Sequence, residues 1–412
     1  MALTPVGCAK EEAPAPAEAP VVEAEAPGIG QLPMKPVFLD TRPGAGSPRL
    51  TAGASGAVLS WLEPDGQGHR LRARQWGHEG PTKTVVSNPE LLQNWADLPS
   101  VVPTSYGWIA AWPQRRDEHG YDLQWSRTRP DGSWVEPGPV SDALEGPEFG
   151  FISWAADPSG TTTAFWLDGR ASTTSHGGAV QLWSATVSES GIIDRRVVDE
   201  RVCDCCQTAA SATPRGPVVA YRDRDENEVR DIWLAGPGPE QRRRVGVDDW
   251  RIDGCPVNGP SVSARGEALA VAWFSGATKV GAVHVAFADG NRPFSRPVAV
   301  DDGNPLGRVD LVWLDDDSVA VVWIEAVEKA AEIRIRRVNR SGERSEPLRV
   351  ASTEASRRAG FPHLERVGSE LALAWVDLSD GTPSVLAGGV AVDAIPRSAA
   401  AKASLGARMP VE

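Results

Sequence analysis

The chain has five cysteines, and three of them fall within four positions, as Cys203, Cys205 and Cys206 of "RVCDCCQT". A fourth, Cys255, opens "CPVNGP". Thiolates bind soft ions such as Cu(I) or Zn(II), and four sulfurs can close a tetrahedral shell. In an oxidising compartment the same sulfurs form disulfides instead, Cys255 pairing with one of the three. That pairing leaves two thiols or a vicinal Cys205–Cys206 bridge. A redox-active thiol pair is a third chemistry and ranks below the other two. Arg201 and Arg222 are the nearby cations expected to favour thiolates.

Arginines and carboxylates supply the second candidate chemistry. "WLDGR" carries Asp168 and Arg170, and "YRDR" carries Arg222 and Asp223. Guanidinium forks match carboxylates, so Arg170, Arg222 and Arg308, with Asp97, Asp223 and Asn258, form a candidate set for an anionic ligand. Glu148, Asp168 and Glu325 are the carboxylates available for acid and base work on a glycosidic bond. The competing reading makes the same charges into ion pairs that fix loops. Tyr221 is a nucleophile by type, and Trp95 and Trp250 are of a type that stacks on sugars.

These residues need a scaffold that gathers distant segments, and a repeat provides it. A short apolar strand ending in an aromatic recurs as "AVLSW", "WIAAW", "TTAFW", "PVVAY", "LAVAW", "VAVVW" and "LALAW". The terminal aromatics, from Trp61 to Trp375, are spaced by 50 to 55 residues. Tyr221 takes a position that six other units give to Trp, which favours a packing role for it. Each unit adds an alternating stretch such as "HRLRARQW" or "EIRIRRVN", whose period of two is that of a strand with one buried face. Four antiparallel strands per unit, repeated radially, predict an all-β fold, a β-propeller. Seven blades are preferred, with six as the alternative. The last unit lacks its outer strand, and "KPVFLD" (35–40) resembles the missing piece, so an N-terminal strand is expected to close the ring. In such a wheel the segments leading into consecutive blades open onto one face. Cys203–Cys206 leads into the fourth blade and Cys255 into the fifth, so the four thiols are expected to meet near the channel mouth.

Composition bounds the rest. The net charge of −13 argues against nucleic-acid binding, and no apolar run is long enough to span a membrane. Sixteen Trp, 41 Gly and 34 Pro suit short strands and tight turns. Residues 1–34, rich in Ala, Pro and Glu, read as a disordered tether, residues 35–392 as the propeller and 393–412 as a tail. "TPVGC" ahead of the acidic stretch resembles the start of a mature bacterial lipoprotein, with Cys8 as the lipidated residue. The pattern implies a leader longer than the seven residues before Cys8, and Pro5 stands where Leu is usual. The expected location is therefore extracytoplasmic, in a bacterial cell envelope, with membrane contact only through the lipid.

"RPDGSW" (129–134) and "FADGNRPF" (287–294) resemble degenerate Asp-boxes of sialidase-type BNR propellers. Together with "CDCCQT" and "CPVNGP", the stretches "NWADLPS", "WLDGR", "YRDR" and "AGFP" resemble bacterial envelope proteins described as sialidase-like. True sialidases carry a Phe-Arg-Ile-Pro stretch that this chain lacks, so the resemblance implies the fold more than the chemistry. The leading expectation is an envelope-anchored monomer binding a ligand or a soft metal (Cu or Zn) through its Cys, Arg and carboxylate rim. Its partner would be an anionic small molecule, a glycan or an envelope protein. The alternatives are an exo-sialidase-type glycoside hydrolase and a structural or protein-binding propeller with disulfides.

Overall fold

A computed structural model describes residues 29–397, apart from short segments at 54, 78–79, 117–119, 144–148, 158–159, 173–177, 239–240 and 329. Cys8 and Glu148 lie outside the described residues. The repeat folds as the sequence predicts, into seven blades. Their innermost strands are Gly46–Gly53, Ser100–Thr104, Phe149–Ala156, Ala209–Thr213, Ser261–Arg265, Pro305–Trp313 and His363–Val367, for blades 1 to 7 in turn. Each inner strand packs beside the next, and blade 7 returns to blade 1.

The repeated aromatic explains the cohesion. Trp61, Trp112, Trp166, Trp273 and Trp323 are wholly buried, and each wedges into one of seven apolar clusters that lie between adjacent sheets. Burying so large a ring removes more apolar surface from water than any other side chain could. Its indole N–H must then find an acceptor inside. Positions two apart on a strand share a face, and the sequence places that acceptor there. Trp61 donates to Glu63 at 3.3 Å, Trp112 to Gln114 at 3.3 Å, Trp166 to Asp168 at 3.0 Å and Trp323 to Glu325 at 2.6 Å. In blade 4 the Tyr221 hydroxyl donates instead to Asp199 of blade 3, at 2.7 Å.

Ring closure matches the expectation and extends it. Lys35–Val37 pairs antiparallel with Ser384–Ala391 and becomes the outer strand of blade 7. Ahead of it Gly30–Gln31 pairs parallel with blade 6, and Leu32 is buried between blades 6 and 7. Residues 30–34, which composition assigns to the tether, thus belong to the wheel. At the other end Ile395, inside the segment read as a tail, is buried in that same cluster.

Bulges shape the rim where the site lies. The inner strands of blades 3 and 6 shift register after Gly150 and Gly307, and the following residues, Phe151 and Arg308, adopt φ of 55° and 57°. This turns their backbone N–H groups toward the neighbouring lead-in segment. Phe151 donates to the Asp97 carboxylate at 2.8 Å, and Arg308 to the Asn258 side-chain oxygen at 2.7 Å.

Candidate functional site

The four sulfurs meet. Residues 200–208 connect blade 3 to blade 4, and Val202 bridges to Asp223 while the Cys203 N–H donates to the Arg222 carbonyl at 3.0 Å. This fixes the cysteine stretch on the end of the second strand of blade 4, Gly216–Arg222. Cys255 arrives from the lead-in to blade 5, where Val257 holds a left-handed φ of 47°, a strained geometry for a β-branched residue. A Cβ at Gly259 would stand 2.1 Å from the Gln207 carbonyl oxygen, so only glycine lets the two lead-ins close on each other. The Gln207 side chain then ties the rim together, donating to the Ala96 carbonyl at 2.9 Å and accepting from the Gly259 N–H at 3.0 Å.

Cys203 is bonded to Cys206, with Cα atoms 5.7 Å apart, and Cys205 to Cys255, with Cα atoms 6.0 Å apart. The vicinal Cys205–Cys206 bridge is not formed. The Cys203 and Cys205 sulfurs lie 3.9 Å apart, and those of Cys203, Cys205 and Cys206 all fall within 4.8 Å of one another. Exposure is graded across the cluster: Cys255 is exposed, Cys205 half-buried, and Cys203 and Cys206 are buried. The inner pair has C-x-x-C spacing, with Cys205 as one of the two intervening residues. Sequence reasoning passed over that spacing, although it marks redox-active pairs.

The cation with a contact to the sulfur is Arg230, rather than the expected Arg201 or Arg222. Its guanidinium, almost wholly buried, donates to the Cys203 sulfur at 3.5 Å and is held by Glu228 at 2.8 Å and Asp204 at 3.6 Å. Arg224 joins the same carboxylates, at 2.8 Å from Glu228 and 3.9 Å from Asp204. Arg222 turns away, giving its N–H groups to the carbonyls of Asn258, Arg230 and Phe274. Burial lowers its pKa to about 9, with the Trp250 ring 4.7 Å from the guanidinium.

The remaining rim residues are distributed around the ring and engaged with it. Asp168 accepts from the Trp166 indole, from Ser141 and from Arg170, which also pairs with Asp142 at 3.0 Å and lies 3.8 Å from the Trp183 ring. Glu325 accepts from the Trp323 indole and, at 2.7 Å, from the Asn304 N–H. Arg308 donates to the carbonyls of Ser356 and Gly360, and burial brings its pKa down to about 10. Asp97 and Asn258 staple adjacent blades through the bulges already described. Asp223 is pushed up to about 7 by burial and by Asp199. The Tyr221 phenol is raised well above its ordinary value by burial and Asp199, so it stays protonated. Trp95 stacks on Phe361 at 5.8 Å, and Trp250 meets Phe274 edge-on at 5.7 Å, so each spends its face inside the protein.

A second cluster lines the hub, a cavity of about 530 Å³. Arg49 of blade 1 donates to the Ile152 carbonyl at 2.8 Å. Across from it, Asp310 accepts from Ser261 at 2.7 Å and from the Leu364 N–H at 2.9 Å, and stands 3.4 Å from the His363 Nδ1. Glu365 accepts from the Ala52 N–H at 3.2 Å, and burial together with the Asp310 charge pushes its carboxyl up to about 8. Period-two alternation along "HLERV" puts His363 and Glu365 on one strand face, and that signal was present in the sequence.

No family model matches the chain, and no curated protein matches it. Among solved structures, an ulvan lyase of polysaccharide lyase family PL25 shares 10% identity over 87% of this chain and 96% of its own, with a TM-score of 0.53. The polysaccharide lyase Uly1 shares 7% identity over 90% and 94%, with a TM-score of 0.52. A leech intramolecular trans-sialidase shares 9% identity over 82% and 83%, with a TM-score of 0.45. The likeness to the two lyases is one of fold. The protein is thus a seven-bladed β-propeller with two polysaccharide lyases among its structural neighbours, carrying a cluster of cysteines on its rim.

Proposed function

We propose that this is an envelope propeller, lipid-tethered through Cys8, whose rim binds one soft d10 ion, Cu(I) or Zn(II), when its four cysteines are reduced. The observation that carries the reading is the convergence of Cys203, Cys205, Cys206 and Cys255 from two consecutive lead-ins. A tetrahedral thiolate shell with metal–sulfur bonds of about 2.3 Å has edges of about 3.8 Å. The Cys203–Cys205 separation of 3.9 Å suits one such edge, while Cys255, grouped within 4.8 Å with Cys205 and Asp204 but not with Cys203 or Cys206, would have to swing inward once the disulfides open. Four thiolates around one ion leave a net negative charge, which Arg230 offsets from the buried side. Paired cysteines in the resting protein accord with an oxidising compartment, as the tether and Cys8 do.

Anaerobic titration of the fully reduced protein tests this. One equivalent of Zn(II) or Cu(I) per chain is expected, with binding weakened at least tenfold in Cys203→Ser and in Cys206→Ser. Affinity unchanged in both variants ends the reading.

A second reading, a sugar-active propeller, draws on the hub rather than the rim. Glu365, protonated near neutrality, and the Asp310–His363 pair are the acid and base types that glycosidic-bond cleavage uses. It predicts turnover of a glycan that is lost in Glu365→Gln and untouched in Cys255→Ser.

A further inference from the structure

We propose that the sulfur cluster is a two-stage thiol–disulfide relay, opened from solvent at Cys255 by a dithiol partner and passing through Cys205 to the buried Cys203–Cys206 pair. The inference rests on the four-sulfur rim described above, but not on any bound ion. Three observations carry it. The cysteines are ordered by exposure, from exposed Cys255 through half-buried Cys205 to Cys203 and Cys206 at 1% and 2% exposure. A solvent thiol therefore meets the outer bond first. The Cys205 sulfur lies 3.9 Å from that of Cys203 and within 4.8 Å of that of Cys206, so it reaches the inner bond from inside. Arg230 points its guanidinium at Cys203 from 3.5 Å, so negative charge arriving on that sulfur is met at once.

The exchange balances as follows. A thiolate of the partner attacks the Cys255 sulfur, the Cys205–Cys255 bond breaks, and Cys205 leaves as a thiolate while Cys255 carries the mixed disulfide. Cys205 attacks the Cys206 sulfur, forming a Cys205–Cys206 bond and expelling Cys203 as a thiolate onto Arg230. The partner's second thiol then attacks its own sulfur in the mixed disulfide, freeing Cys255 and leaving the partner oxidised. Two electrons have entered, one disulfide has been lost, and the free thiols are Cys203 and Cys255. A cation beside the leaving sulfur speeds such a step because a better-stabilised thiolate leaves faster.

The test uses the full chain, oxidised and metal-free, with dithiothreitol as the dithiol. Samples are quenched in acid, alkylated under denaturing conditions and mapped by mass spectrometry. The two-electron product is expected to carry label on Cys203 and Cys255. Label on Cys205 and Cys255, or on Cys203 and Cys206, overturns the relay. In the Cys205→Ser/Cys255→Ser double variant the inner pair should open at least tenfold more slowly than in the wild-type chain, and an equal rate overturns it too. The labelling pattern of the wild-type chain decides the matter even where the variant folds poorly. Neither measurement involves an ion, so a failed relay leaves the metal titration standing, and a failed titration leaves the relay standing.

Discussion

Glu365 shows how much one hub residue can set. Its carboxyl, half-buried in the hub, is pushed up to about 8 by desolvation and by the facing Asp310 charge, and Asp223 on the rim is likewise raised, to about 7. A carboxyl with a raised folded pKa keeps its proton in the native state after the unfolded chain has lost its own. Its stabilising contribution is complete below the ordinary carboxylate range and is lost as pH climbs through the folded value. The wild-type protein should therefore lose stability steadily between about pH 5 and pH 8. Glu365→Gln removes the largest part of that slope while keeping shape and an acceptor for the Ala52 N–H. Denaturant melts at pH 5 and pH 9 should show the variant close to wild type at the lower pH. At the higher pH it should be more stable by on the order of a few kcal/mol. A wild-type profile flat across this range would show that neither Glu365 nor Asp223 holds its proton as argued.

At the scale of the strand, the acceptor that stands two residues beyond Trp61, Trp112, Trp166 and Trp323 separates fold from function. Glu325 satisfies two donors, the buried Trp323 indole and the N–H of the more exposed Asn304. Glu325→Ala strands both and should cost about 1–3 kcal/mol in chemical denaturation. Glu325→Gln should cost far less, because blade 2 already uses Gln114 in this position beneath Trp112. If Glu325 instead worked as an acid or base, the Gln variant would fold normally yet lose its activity. The aromatic period, the alternation and the missing outer strand were all legible because burial of one strand face leaves a periodic trace in sequence. The meeting of Cys255 with "CDCC" was legible for the same reason, since equivalent positions in a repeat become neighbours in space. Partner choice was not legible. Whether Asp168 faces a ligand or an indole, and whether Arg222 or Arg230 reaches the sulfur, depends on side-chain directions within loops, where no period exists. Asp97 and Asn258 looked like ligand groups because they are polar and on the rim. Their work as staples follows from bulges at Gly150 and Gly307 that the sequence does not announce.

For the whole molecule, the rim site depends on a ring that stays shut, and the N-terminal segment is what fastens it. Between Gly30 and Val37 the chain crosses from the edge of blade 6 to the edge of blade 7, pairing with both. Leu32 fills the gap between them at 2% exposure, and Gln31 donates to the Val350 carbonyl at 3.0 Å. Removing the chain through Val37 exposes two strand edges at once, and unpaired edges recruit other chains. The truncated protein should melt at lower temperature and associate in a concentration-dependent way on size-exclusion chromatography. Leu32→Ala separates packing from pairing, since it keeps both edge strands but leaves a cavity worth about 2–4 kcal/mol. It should lower stability without promoting association. The sulfur cluster sits between blades 4 and 5, away from the seam, so the labelling order of its cysteines should be unchanged in Leu32→Ala. If the truncated chain instead remains monomeric and equally stable, the three strands of blade 7 suffice alone, and the fastening role assigned to residues 30–37 is wrong.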